Sequence, residues 1–161
     1  MKVIYLVYPG LGKTYCQENF PHKYADIHVS HFKNMALNKY GGYIPENLKG
    51  ENLEFINNPD FPQNILQFIN IGFRQNKIML MALKPSNTQF LIDNGFDFVF
   101  VMPAKNKLRE LEMQYINRGN TKSYIMGQLG RYDQICENIK KYNKKIIFVK
   151  KGKHLDDCFK D

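Results

Sequence analysis

Tryptophan is absent from this sequence, cysteine occurs only three times, and no apolar run approaches bilayer-spanning length. Each shortage excludes something. Cys16, Cys136 and Cys158 are odd in number, far apart and without metal-type spacing, which argues against a disulfide framework or a zinc site and fits a reducing, cytoplasmic setting. The longest apolar runs, residues 4–8, 78–83 and 98–102, have strand length, so no membrane association is expected. A lysine and an apolar run do open the chain, but Pro9-Gly10-Leu11-Gly12-Lys13 follows where a small-residue cleavage site would be needed, and no cleaved leader is expected. Acids are the scarcer charge: 15 Asp and Glu against 23 Lys and Arg leave a formal net charge of +8. That excess suits anionic partners, nucleotide or nucleic acid among them, without choosing between them. Much of it sits in Lys140, Lys141, Lys144, Lys145, Lys150, Lys151 and Lys153, where no base-stacking aromatics are interleaved, so a solvated surface is the simpler reading than a polynucleotide track.

At 161 residues and 43% hydrophobic, the chain can build one substantial core, and residues 1–161 read as a single domain. Apolar runs alternate with helical periodicity, the pattern of an α/β fold with a mostly parallel sheet. Five strands are predicted, at 2–8, 26–30, 77–82, 97–102 and 145–149. Between them, helices are predicted from 12 to 20, from the Asp60-Phe61-Pro62 start signal to Gln75, and from Pro85 to the Asn94-Gly95 stop. Two more follow: the face of Leu108, Leu111 and Tyr115 ending at Gly119, and one longer helix carrying Tyr124, Leu129, Tyr132, Ile135 and Ile139 to about Asn143. Residues 33–59, with Gly41-Gly42, read as a substrate-side loop or short helices.

The most specific feature is Tyr8-Pro9-Gly10-Leu11-Gly12-Lys13-Thr14, lying between the first strand and the first helix. A phosphate-binding loop needs glycines so that backbone N–H groups can wrap phosphate oxygens, a lysine for the terminal phosphates and a hydroxyl for the metal ion. Gly10, Gly12, Lys13 and Thr14 supply those parts, and Pro9, Leu11 and the following Tyr15 complete the predicted contact surface for ATP or GTP with Mg²⁺. Against the pattern G-x-x-x-x-G-K-[ST], the first glycine falls on Val7.

With this loop placed, the chain resembles small P-loop kinases of the adenylate-kinase-like group, in particular the short kinase-like proteins common in bacteriophage genomes. Their opening is Gly-aromatic-Pro-Gly-x-Gly-Lys-Ser/Thr. Their Asp-x-Asp/Glu-Ser-Ser-x-Phe at the second strand is matched in spacing by Asp26-Ile27-His28-Val29-Ser30-His31-Phe32, with His28 and Val29 departing. Their lid helix ending Arg-Gly-Asn is matched by Arg118-Gly119-Asn120 after the strand that ends at Pro103, with Gln114 where a companion arginine would stand. The resemblance implies a three-layer P-loop NTPase fold of the nucleotide-kinase type, transfer of the γ-phosphate to a nucleoside, nucleotide or similar small acceptor, and the host cytoplasm if the chain is phage-encoded.

Phosphoryl transfer needs in-line positioning and neutralisation of the moving charge. Lys13, Asp26 and Arg118 are the candidate catalytic residues. Asp26 would orient the acceptor, act as base, or hold Mg²⁺ through water together with Thr14; Arg118 would close over the phosphates, with Lys122 and Arg131 as further cations on the nucleotide. The third strand, 77–82, ends without an acid. A non-catalytic nucleotide-binding module and a polynucleotide 5′-kinase are the alternatives. His28 and His31 would point to opposite sides of an extended segment, so no metal site is expected there.

Overall fold

A computed structural model of the chain describes residues 2–36 and 55–160. Strand β1 (Val3–Val7) leads through the glycine loop into α1 (Lys13–Asn19) and β2 (Tyr24–Ile27). The short helix α2 (Val29–Lys33) and β3 (Asn34–Ala36) follow, and β3 pairs antiparallel with β4 (Phe55–Asn57). Next come α3 (Gln63–Arg74), β5 (Ile78–Ala82), α4 (Pro85–Asp93), β6 (Asp97–Pro103), α5 (Leu108–Asn117), α6 (Lys122–Gly130), α7 (Tyr132–Lys140) and β7 (Ile146–Val149). A 3₁₀ turn at Lys105–Lys107 precedes α5, and another at Leu155–Phe159 follows β7.

The fold is α/β: a five-stranded sheet in the order β2-β5-β1-β6-β7, flanked by helices, with every pairing parallel. A parallel sheet covered on both faces needs strands that are apolar throughout rather than alternating. The sequence supplies them, and Ile4, Leu6, Met79, Leu80, Met81, Phe100 and Val101 are fully buried. Helix α3 turns Ile65 and Ile69 into the same core, each burial contributing roughly 1.5–3 kcal/mol. Pro85 opens α4, where its missing N–H costs nothing.

Parallel strands bring their carboxyl ends to one edge, and there the chain leaves β1 for β2 and β5 on one side while β6 and β7 lie on the other. Such an edge is where α/β sheets hold ligands. The glycine loop emerges at it.

Several boundaries differ from the sequence reading. The second strand is Tyr24–Ile27 rather than 26–30, because all four residues are buried and show no alternation, and Ser30 lies in α2. The single helix expected to run to Asn143 is two, α6 and α7, divided at Arg131. Gly127 and Gly130 weaken the helix before the break, and the Tyr132 hydroxyl just after it is tied to the Pro103 carbonyl at 2.7 Å. Of residues 33–59, read as a loop or short helices, the described flanks pair instead as strands β3 and β4, and 37–54 lie outside the described residues. Among the described residues no helix is long and apolar enough to cross a membrane.

Candidate functional site

Gly10 and Gly12 both adopt the left-handed backbone, with φ of 87° and 105°. At Gly10 the conformation is joined by crowding, since a Cβ there would meet the Tyr115 ring at 2.7 Å; at Gly12 the space is open and only the backbone angle selects glycine. Among the described residues the N–H groups of Gly10 and Gly12 carry no hydrogen bond. The loop is held from outside. The Tyr115 hydroxyl donates to the Pro9 carbonyl at 2.6 Å, and the Tyr8 hydroxyl donates to the Gln128 carbonyl in α6, also at 2.6 Å. Burial pushes the Tyr8 hydroxyl up to about 12 and raises that of Tyr115 as well, so both remain protonated donors.

Lys13 and Thr14 form the first turn of α1. The ammonium of Lys13 lies 3.8 Å from Oδ2 of Asp26, the third residue of β2, whose side chain is 1% exposed. Asp26 is unusual. Neither carboxylate oxygen has a hydrogen-bond partner, and Nε2 of His28 approaches Oδ2 at 3.2 Å without hydrogen-bond geometry. The Asp26 backbone N–H donates to Oε1 of Gln17 at 2.6 Å, which fixes the residue from the α1 side. A buried charge with lone pairs left over asks for a cation or a donor. Since β5 ends at Ala82 beside Val7, Asp26 is the acid that the sheet brings to Lys13.

Next to the loop is a cavity of about 450 Å³ lined by Gly10, Leu11, Gly12, Tyr15, Gln114 and Arg118, with Lys153, His154 and Asp156 opposite. Arg118, the C-cap of α5, is thus brought to the glycine loop, and Tyr15 lines the same space. Thr14 is exposed in α1, and Lys13 turns toward Asp26; neither lines this cavity, nor do Asp26 and Pro9. Arg131, exposed between α6 and α7, and Lys122, the first residue of α6, are not part of it.

The far wall was missed by sequence reasoning. Lys107, only 7% exposed, donates to Oε2 of Glu110 at 2.8 Å and to the Lys153 carbonyl at 2.6 Å, while Oε1 of Glu110 accepts the Gly152 N–H at 2.8 Å. Those bonds, the Lys107 hydrogen bond first, hold the Glu110 carboxyl below its ordinary range. Asp156 accepts from Lys23 at 2.8 Å and from the Tyr24 hydroxyl. The only sequence signal was the pair Asp156-Asp157 in the first turn of a short helix. His28 was also misread: it caps α2, and its ring stacks on His31 at 4.8 Å. No cluster of three His, Cys, Asp or Glu suited to a metal ion occurs among the described residues.

Compared with known proteins, the chain matches no protein-family model and no curated protein.

Proposed function

We propose that this protein is a P-loop protein of the nucleotide-kinase type that binds Mg-ATP or Mg-GTP and transfers the γ-phosphoryl group to a nucleoside, nucleotide or similar small hydroxyl-bearing acceptor. The observation that carries the reading is the buried Asp26 carboxylate, which accepts no hydrogen bond and faces Lys13 beside a glycine loop at the carboxyl edge of a parallel sheet. Gly10 and Gly12 present N–H groups to phosphate oxygens, Lys13 moves from Asp26 to the terminal phosphates, and Arg118 meets them from the cavity side. The nucleoside occupies the 450 Å³ cavity between Tyr15, α5 and the 153–157 turn.

Mg²⁺ ordinarily takes one or two protein ligands, phosphate oxygens and water, so the Thr14 hydroxyl would hold it, with the Asp26 carboxylate reaching it only through water. When bound, the ion neutralises charge on the β- and γ-oxygens. The acceptor oxygen forms a bond to the γ-phosphorus as the bond to the β-bridging oxygen breaks. The nucleoside diphosphate departs, and the acceptor's proton passes to Asp26.

A nucleotide-binding module without turnover is the second reading, favoured by one feature: β5 carries no acid at its end. Two measurements separate them. A ligand a hundredfold above its Kd stabilises the native state by about 2.7 kcal/mol, so Mg-ATP or Mg-GTP is expected to raise Tm by roughly 5–11 °C, and Lys13→Ala to remove most of that rise. Unchanged melting with every nucleoside triphosphate at millimolar concentration would refute the loop reading. If the nucleotide binds, a panel of nucleosides, nucleoside monophosphates and 5′-hydroxyl oligonucleotides should reveal acceptor-dependent ADP or GDP release; binding with no acceleration by any acceptor selects the binding module.

A further inference from the structure

Helix α5 lines two cavities. The first is the one beside the glycine loop. The second, of about 580 Å³, adjoins it, and Gln114 and Arg118 line both. Arg109, Met113 and Lys151 face the second one, and Met113 is half exposed. None of its three cations, Arg109, Arg118 and Lys151, forms an ion pair among the described residues. The one acid on its wall, Glu110, is already committed: its two oxygens accept from Lys107 and from the Gly152 N–H. The groove therefore presents net positive charge around an apolar methionine, in a chain whose net charge is already +8.

We propose that this second groove is a binding site for a phosphorylated nucleoside, distinct from the cavity beside the glycine loop. Guanidinium forks match phosphate oxygens in pairs, and a flexible thioether is an adaptable surface for a flat ring. Phosphate with an attached base is thus the chemistry that fits the groove. Such a unit comes from a free nucleotide or from one residue of a single strand. Because Gln114 and Arg118 line both cavities, a ligand here shares side chains with whatever fills the first one, and the two sites are coupled through α5.

The test fills the first cavity with Mg-AMP-PNP and then titrates two probes separately by calorimetry: adenosine 3′,5′-bisphosphate and pentathymidylate. At least one is expected to bind, and its affinity to fall at least about tenfold in Arg109→Glu/Lys151→Glu, as expected for loss of charged hydrogen bonds, while AMP-PNP binding stays within about twofold. Both substituted residues are exposed, and the single variant Arg109→Ala is carried alongside as a milder change. The arm that binds identifies the source: the bisphosphate alone means a free nucleotide, the oligonucleotide alone means a strand, and both means that the phosphorylated nucleoside suffices. Absence of binding by either probe, or equal affinity in the variants, overturns the site. An equal loss of AMP-PNP binding would assign these cations to the first cavity and overturn it as well. Failure of AMP-PNP to bind the unaltered protein counts against the proposed kinase function instead, and the groove is then titrated without it.

Discussion

A carboxylate at 1% side-chain exposure whose oxygens make no hydrogen bond is held at a cost, commonly about 1–3 kcal/mol for an unmet polar group and more for an ion. The neighbouring Lys13 ammonium, at 3.8 Å, offsets part of that cost without the directional bonds that would complete it. Asp26→Asn removes the buried ion and keeps the shape. In the free protein this variant is therefore expected to melt no lower than the unaltered chain. Nucleotide affinity should stay within about threefold, whereas acceptor-dependent turnover should fall about a hundredfold or more, the usual scale for a lost proton acceptor. Melting curves, donor titrations and kcat on the same preparations check the three parts, and near-normal turnover would remove Asp26 from the chemistry. The residue could be singled out in the sequence by its motif-like spacing at the second strand. Its burial and missing partners were not, since they depend on Gln17, His28 and Lys13 arriving from α1 and α2.

At the scale of elements, three tyrosine hydroxyls fasten helices to the carboxyl edge of the sheet: Tyr115 to Pro9, Tyr8 to Gln128 and Tyr132 to Pro103. Tyr115 lies about one helical turn before Arg118, the C-cap of α5, so its bond to Pro9 ties the end of that helix to the glycine loop. Tyr115→Phe keeps the ring against Gly10 and is expected to cost about 1 kcal/mol of stability. If the hydroxyl works by placing Arg118, the accompanying drop in kcat should vanish in an Arg118→Ala background, which a double-mutant cycle measures; full additivity would make Tyr115 a purely structural support. Helices α3 and α5 were legible from periodicity because one face of each is apolar, whereas α4, whose buried residues include Asn87 and Thr88, was legible only from its Pro85 start and Asn94-Gly95 stop. The break between α6 and α7 was not, because apolar residues continue across it and the tie at Tyr132 is made to a strand 29 residues earlier. The 3₁₀ turn at Leu155–Phe159 and the Lys107 clamp escaped for the same reason: short segments whose conformation is fixed by distant partners carry little pattern of their own.

Across the whole molecule, Asp156 ties the end of the described chain to the start of β2 through Lys23 and the Tyr24 hydroxyl. The lysine hydrogen bond, and then the tyrosine one, hold the Asp156 carboxyl below its ordinary value of 3.8. A lowered folded-state value means that this stabilisation is complete above that ordinary value and is lost as the pH falls through the lower one. Asp156→Asn is accordingly expected to cost about 1–2 kcal/mol at pH 7, or roughly 2–8 °C in Tm, and the gap from the unaltered protein should close on acidification below 3.8; a gap independent of pH would show that the carboxylate's charge is not what stabilises. The α/β class and the five strands were legible because central parallel strands are apolar throughout, but the order β2-β5-β1-β6-β7 is a property of pairing that no single segment carries. That order has a consequence in time. Strand β1 is synthesised first, yet its hydrogen-bonded neighbours are β5 and β6, with Ile4 aligned to Met79 and Phe98. The glycine loop hangs from a strand without a sheet until β5 has left the ribosome, and a nascent chain halted before β5 exposes the apolar β1 to chaperones and to other chains.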